Sequence, residues 1–533
     1  MKNIKYKIVA YITIFAFALN FTSCSDNLDQ VSTGDMSEEE VMADLGRLEL
    51  LVKGMYVKYR NTKQGRNGIT TSAFGTDESQ QGTWQIKEAP TQPGLDYYNG
   101  LLSSTAGEIA SLWDNKCTPV YTTGLAIAGL EANTEDPDKV KTLLGEASFF
   151  RGMLMYELSM LWGEIPIWDK KRENELGYRR QPLKDVWEYI INDFKLAANN
   201  LPEKWTDDPK KITSGAALAM LGKAYMSAPE ETGLRDFSLA KEAFEKMMSR
   251  YKLVDNFGDL FAYDKPFSSE SVFELQFNNV WPDCNYWQFD LGSRVIDTWF
   301  SQGCHFSGYD IVLPTKYAYS TVAEGGVWED GDLRKDVSIR YDFTYYTDKY
   351  TEDGSYEYVT PDDSKTAWIT DELDPHIKKF EDPRTDRLNG NIANMWNSGK
   401  NLALVRLGDI ILLYAECLNE LGQTSAAVAQ VNDKIRTRAW GGTLPADKKW
   451  GTMSQDQFRE KIMDERIREL CFEGWRRYDL IRTGYFVKLI KERNKWAKES
   501  GTIQDFHMRY PIPDTEIKNN EDMTPEDQNP GYN

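Results

Sequence analysis

Apolar residues recur at spacings of three and four over long stretches of this chain, and the stretches come in pairs. Val140, Leu143, Ala147, Phe150, Leu154, Leu158 and Leu161 share one face of a helix, and Pro166 ends the unit. Pro182 opens the next helix through Val186, Ile190, Phe194 and Ala197, and Leu201-Pro202 stops it. Residues 213–228 and 237–251 form another pair. Toward the C-terminus, Leu407, Ile411, Tyr414, Leu418 and Leu421 line one face, and a partner helix runs from Thr424 to near Trp440-Gly441-Gly442. Ser454 caps a further helix through Ile462, Ile467 and Leu470, and Ser37 with Glu40 makes a capping box for a helix over 37–60. Helix pairs with short links predict a mainly α, helical-repeat scaffold, TPR-like in architecture although no 34-residue consensus repeats.

The pattern changes between 255 and 400. Gly, Pro, Asp and Tyr rise, helical periodicity fades, and Val272 to Phe277 alternates like a strand. Tyr345, Tyr346, Tyr356 and Tyr358 sit in polar, turn-rich sequence. This reads as an insert of loops and short strands on a helical base, where binding residues usually reside. The expected division is 1–23, 24–255, 256–400 and 401–533, the last three forming one integrated unit.

The N-terminus has its own pattern. Lys2, Lys5 and Lys7 precede an apolar stretch from Ile8 to Phe21, 14 residues and too short to span a bilayer. Phe21-Thr22-Ser23-Cys24 then resembles a bacterial lipobox, in which Cys24 is lipidated and becomes the first mature residue. Removing 1–23, with three lysines, from 533 residues at −20 leaves 510 residues at −23. The expected product is tethered by lipid. Of the other cysteines, Cys417 and Cys471 fall in apolar helical patterns, and Cys284 with Cys304 is a possible pair across a loop.

Charge and composition narrow the function. A net charge of −20 repels phosphate, which argues against nucleic acid. Three scattered histidines, His305, His376 and His507, argue against a His-built zinc site or a Ser-His-Asp triad. The run from Glu465 to Arg482 is dense in Glu and Arg and reads as ion pairs pinning helix ends rather than as acid/base machinery. A structural Ca²⁺ stays open because acidic loops such as Asp362-Asp363 permit one; no cofactor is expected. Six of the 16 tryptophans lie within 281–396 (Trp281, Trp287, Trp299, Trp328, Trp368 and Trp396), whereas Trp113, Trp162, Trp187 and Trp475 sit on helical faces. Loop aromatics offer flat faces to sugar rings, and nearby amides and carboxylates can bond hydroxyls. The candidate ligand set is Asp77, Trp84, Tyr98, Asn99, Trp281, Asn285, Trp287 and Tyr309.

A series of motifs resembles the SusD/RagB family of surface lipoproteins. Gly145-Glu146-Ala147 with Phe149 and Arg151, then Gly163-Glu164-Ile165-Pro166, begin it. Ser269 to Glu274, Gly331 to Arg334, Arg406 to Glu416, Val431-Asn432 with Ile435-Arg436, the Glu465–Arg482 run, Tyr510 to Pro513 and Gln528 to Tyr532 follow in the family's order. The resemblance implies a SusD-like α-helical fold with four TPR-like helix pairs. It implies a non-catalytic protein on the outer face of the outer membrane that captures oligosaccharide or polysaccharide for a SusC-like TonB-dependent transporter. Peptide binding, as in RagB-like members, or a lid role with little affinity of its own, are the alternatives. The motifs mark the scaffold, so the ligand residues above are not carried over from the family.

Overall fold

The structure is a computed structural model. It describes residues 37–532 apart from 66–67, 69–72, 89, 91, 169–176, 293–295, 298–310, 342–343, 351–355, 360–373 and 383–396. Cys24, Trp299, Cys304, Tyr309, Asp362-Asp363, Trp368 and Trp396 lie outside the described residues.

The chain begins with α1 (Glu38–Met42), whose Ser37/Glu40 capping box is present, and α2 (Leu45–Asn61), capped by Asp44. Next come α3 (Gly107–Ala132), α4 (Pro137–Trp162), α5 (Leu183–Asn200), α6 (Ser214–Ser227) and α7 (Phe237–Met248). Each packs mainly on its sequence neighbour, as short links between antiparallel helices require. The C-terminal part supplies α8 (Leu407–Glu420), α9 (Thr424–Gln430), α10 (Gln455–Leu470) and α11 (Arg476–Thr483). The helical boundaries expected at Pro182, Leu201 and Ser454 are those observed. The 37–60 segment instead breaks at Ala43-Asp44, because Asp44 turns extended and caps a new helix.

Periodicity did not reveal α3. Its inner face does follow threes and fours, through Ile109, Leu112, Trp113, Lys116, Val120, Thr123, Ile127 and Leu130. Lys116 and Thr123 occupy apolar places on it, however, and Pro119 interrupts the middle. Lys116 is tolerated inside because Glu157 of α4 receives its ammonium, together with Lys63 at 2.8 Å and the Tyr59 hydroxyl at 2.7 Å.

Strands are few and short. β1 (Ser79–Gln81) pairs antiparallel with β3 (Val312–Pro314), and β2 (Ser271–Leu275) with β6 (Leu402–Arg406) in the register Ser271↔Arg406 to Leu275↔Leu402. The tyrosine-rich stretch is an antiparallel hairpin, β4 (Thr344–Tyr350) with β5 (Tyr356–Val359). One apolar core runs from Leu45 to Met523, and a second, smaller one gathers α8, α9 and α10. The C-terminal tail clasps the end of α4. Trp162 Nε1 donates to the Pro511 carbonyl at 2.9 Å, and Asn529 Nδ2 donates to the Trp162 carbonyl at 2.9 Å.

Candidate functional site

Strand β2 ends at Leu275, and its continuation turns outward. Phe277 is still buried. After it the chain reverses over 278–283, with Asn278 N donating to the Asp283 carbonyl and Asp283 N to that of Val280, both at 2.8 Å. The reversal lifts Val280 (62% exposed) and Trp281 (65% exposed) into solvent. Arg60 in the last turn of α2 and Gln64 just after it hold the turn down. Gln64 Nε2 donates to the carbonyls of Pro282, at 2.7 Å, and Cys284, and Arg60 pairs with Asp283. Tyr286, half-buried, lies 6.0 Å from the Trp281 ring at 46°. Burial, with help from neighbouring Cys284, raises its hydroxyl to about 12, so it remains a donor at any physiological pH. Asn278 and Asn279 are exposed beside it. The turn is thus an aromatic face flanked by amides and fixed at both ends.

Four of the predicted ligand residues are interior and require correction. Trp287 is buried between Phe277 and Phe380, and its Nε1 donates to the Lys63 carbonyl at 2.9 Å. Asn285 is buried too, its Nδ2 donating to the Lys400 carbonyl at 2.7 Å. Asp77 has no exposed surface and accepts two hydrogen bonds of 2.6 Å from Arg476 and one of 3.0 Å from Arg493. Burial pushes its carboxyl up, but these guanidiniums outweigh that and hold it below the usual range. Tyr98 is fully buried against Phe486 and His507, donates to the Gly75 carbonyl and accepts from Arg477 at 3.0 Å. These four serve packing. Asn99 is half-buried and closes a local turn by accepting from Leu101 N at 3.0 Å. Trp84 begins a π-helical turn, Trp84–Glu88, and its side chain is outside the described residues. Trp328, expected among the loop tryptophans, is likewise interior, its Nε1 donating to the Ala318 carbonyl at 2.6 Å. Sequence reasoning missed Arg60 and Gln64, because their roles depend on contacts some 220 residues away, and Tyr286, whose role depends on the turn that brings it to Trp281.

The Glu/Arg run and its partners are interior and densely ion-paired, with Arg436 Nε, Arg438 Nε, Arg466 Nη1 and Arg477 Nε buried without a hydrogen-bond acceptor among the described residues. Glu465 accepts from Arg334, Arg436 and Arg468, and Glu469 from Arg334, Arg406 and Arg438. Glu473 accepts from Arg406 and Lys379, Glu270 from Arg406 and Arg438, Glu329 from Arg436 and Arg468, and Asp332 from Arg334. Six acids thus face six bases, and the cluster is neutral overall. Glu329, Glu465 and Glu469 are held below the usual carboxylate range because burial, which alone would raise them, is overcome by the surrounding guanidiniums. They are held, not poised, and none faces another across an open cleft. Among the described residues no group of three or more His, Cys, Asp or Glu side chains is arranged to hold a metal, and no helix is long and apolar enough to cross a membrane.

A stack of helix pairs carrying an irregular insert, with an exposed aromatic face on a loop of that insert, defines a helical-repeat scaffold. Comparison with known proteins specifies it further. A profile described as "SusD family" matches residues 294–532, and another, "Starch-binding associating with outer membrane", matches 27–226. The chain belongs to the SusD family. It is similar to SusD-like protein P2 of Formosa agariphila, 25% identical over 99% of this chain and 100% of that one. It is also similar to the starch-binding protein SusD of Bacteroides thetaiotaomicron, 22% identical over 73% and 72%. Among solved structures, a laminarin-binding SusD-like protein superposes with a TM-score of 0.71 at 22% identity, covering 91% of this chain and 99% of its own. A SusD homologue from B. thetaiotaomicron gives 0.72 at 20%, covering 93% and 99%. These likenesses establish the fold.

Proposed function

We propose that this protein captures a glycan at the Trp281–Tyr286 face and passes it to a SusC-like, TonB-dependent transporter, without chemistry of its own. The observation that carries the reading is the 65% exposure of Trp281 on a braced turn of a SusD-family scaffold. A solvated tryptophan face is retained at a cost in solubility, and a sugar ring's CH face is a fitting cover for it. Asn278 and Asn279 stand beside it to bond hydroxyls. Covering about 80 Å² of the ring at about 25 cal/mol per Å² contributes about 2 kcal/mol, roughly thirtyfold in affinity. The names of relatives that bind laminarin and starch favour a glycan over a peptide. Lipidation at Cys24 would tether the protein to the outer membrane with this face outward, and the carboxylates of the Glu/Arg cluster are spent in ion pairs.

The test is affinity electrophoresis of the protein and of Trp281→Ala through gels containing laminarin, starch and other polysaccharides, with oligopeptides as competitors. Retardation by at least one polysaccharide, lost in the variant, is expected. Equal migration in all gels, or retardation unchanged by Trp281→Ala, overturns the reading. Co-purification of a large β-barrel protein with the anchored chain tests the transporter.

A further inference from the structure

Beside the turn lies a cleft of about 350 Å³ between α2, the start of α4, the 203–212 loop and the end of β2. Arg60 and Gln276 belong to its wall, and through Arg60–Asp283 and the two residues that follow Gln276 the cleft adjoins the 278–283 turn. Its floor is apolar and aromatic, from Val57, Leu143, Phe273 and the Tyr56 ring. Its polar groups are unevenly used. Glu146, almost fully buried, accepts one hydrogen bond, from the Tyr56 hydroxyl to Oε2, and its Oε1 has no donor among the described residues. Arg60 Nε is buried without an acceptor. The ammonium of Lys210 has no carboxylate partner among the described residues and stands 5.8 Å from the Phe267 ring. The pairs that Lys211 and Arg60 do make go to Asp207 and Asp283, which are 62% and 44% exposed and so exchange readily with another carboxylate. The wall carries Lys53, Arg60, Lys210 and Lys211 against Glu49, Glu146, Asp208 and Glu274, a neutral lining on a chain of net charge −20, and Glu49 and Glu274 are already occupied, the first by Lys53 and Lys139, the second by Phe267 N, Ser271 and Asn401.

We propose that this cleft is a second subsite, which takes a uronic acid unit of the glycan. The carboxylate would meet Lys210 and Arg60, the ring would lie on the apolar floor, and a hydroxyl would donate to Glu146 Oε1. This rests on the glycan reading above and adds a substrate class to it: a neutral chain held only at Trp281 would leave these groups unused. Burial raises the Glu146 carboxyl, in keeping with a site that recognises hydroxyls rather than a cation.

The test is calorimetry of the mature chain with trigalacturonate and, as neutral probe, maltotriose, on wild type, Lys210→Ala and Trp281→Ala. Lys210 is exposed, so its truncation leaves the fold intact. Expected are tighter binding of trigalacturonate than of maltotriose, a loss of about tenfold for trigalacturonate in Lys210→Ala with the neutral probe within twofold, and weakening by salt of the acidic probe only. Equal binding of the two probes, or trigalacturonate binding unchanged in Lys210→Ala, overturns the subsite; if Trp281→Ala still abolishes binding, the glycan reading survives that failure. Binding of a dipeptide in the cleft, displaced by neither sugar, overturns both. A Tyr56→Phe variant, which frees Glu146 Oε2 without truncating a core ring, should retain the preference for trigalacturonate; its loss there with the cleft otherwise folded would assign recognition to the Tyr56 hydroxyl and overturn the roles of Lys210 and Arg60.

Discussion

Replacing Glu469 by Gln keeps the shape of the side chain and removes one charge from the neutral cluster around it. Glu469 accepts from Arg334 at 3.0 Å and Arg406 at 2.6 Å and pairs with Arg438, and none of these groups reaches solvent. The amide oxygen can still accept, but its NH2 group faces guanidinium donors, and the six bases then exceed the acids by one. Breaking a buried ion pair by removing one partner costs about 3–5 kcal/mol, because the remaining charge stays desolvated. With about 2.1 cal/mol/K of unfolding entropy per residue over roughly 500 residues, 4 kcal/mol lowers Tm by about 4 °C. Urea titration at neutral pH, followed by tryptophan fluorescence, gives the free energy, and calorimetry gives the Tm. Glu420→Gln is the control, since Glu420 pairs with Arg459 near the surface and such pairs contribute about 0–1 kcal/mol. A loss below 1 kcal/mol for Glu469→Gln, or a loss equal to the control's, would refute the view that this cluster depends on charge balance.

Other outcomes follow from the same geometry. Trp281→Ala should change stability by less than about 0.5 kcal/mol, whereas Trp287→Ala should cost about 3–5 kcal/mol; urea melts of the two separate a binding from a packing tryptophan. Glu78 is raised to about 8, chiefly by burial, so the folded protein holds a proton there that the unfolded chain releases near 4.3; stability should fall as pH rises from about 4.3 to about 8, and Glu78→Gln should flatten that slope in chemical denaturation. Gly222→Ala should cost about 1–3 kcal/mol, because a Cβ on α6 would meet the Phe244 ring of α7 at 2.3 Å, and thermal melting measures the loss.

Helices were legible where one face is unbroken by polar residues, as from Val140 to Leu161 on α4 even though Arg151 and Glu157 are buried elsewhere on it, and illegible where tertiary pairing puts a polar residue into that face, as with Lys116 of α3. The ligand face was harder for a related reason. Trp281 and Trp287 are six residues apart in similar sequence, yet one is solvated and the other is anchored to Lys63, 224 positions away. Asp77 looked like a surface acid until Arg476, 399 positions on, took up its charge. Composition marks where aromatics gather; exposure is decided by partners distant in sequence. The ion-paired reading of the Glu465–Arg482 run succeeded because Arg and Glu alternate there in numbers that only mutual pairing can bury.

The clasp between α4 and the tail has a consequence for timing. Trp162 and Leu161 lie in the first third of the chain, and the groups that satisfy them, Pro511, Tyr510 and Asn529, belong to its last 24 residues. Until that stretch has emerged, the Leu161 carbonyl and the Trp162 indole lack these partners, although Gly163 caps the helix locally, and contacts of such span are slow to close. A ribosome-bound chain that has not yet released residues 510–529 therefore lacks this latch however many helix pairs have formed. Closure of this end of α4 waits for residues 510–529, so a chain lacking them should stay susceptible to protease around 161–166 when its other helices do not.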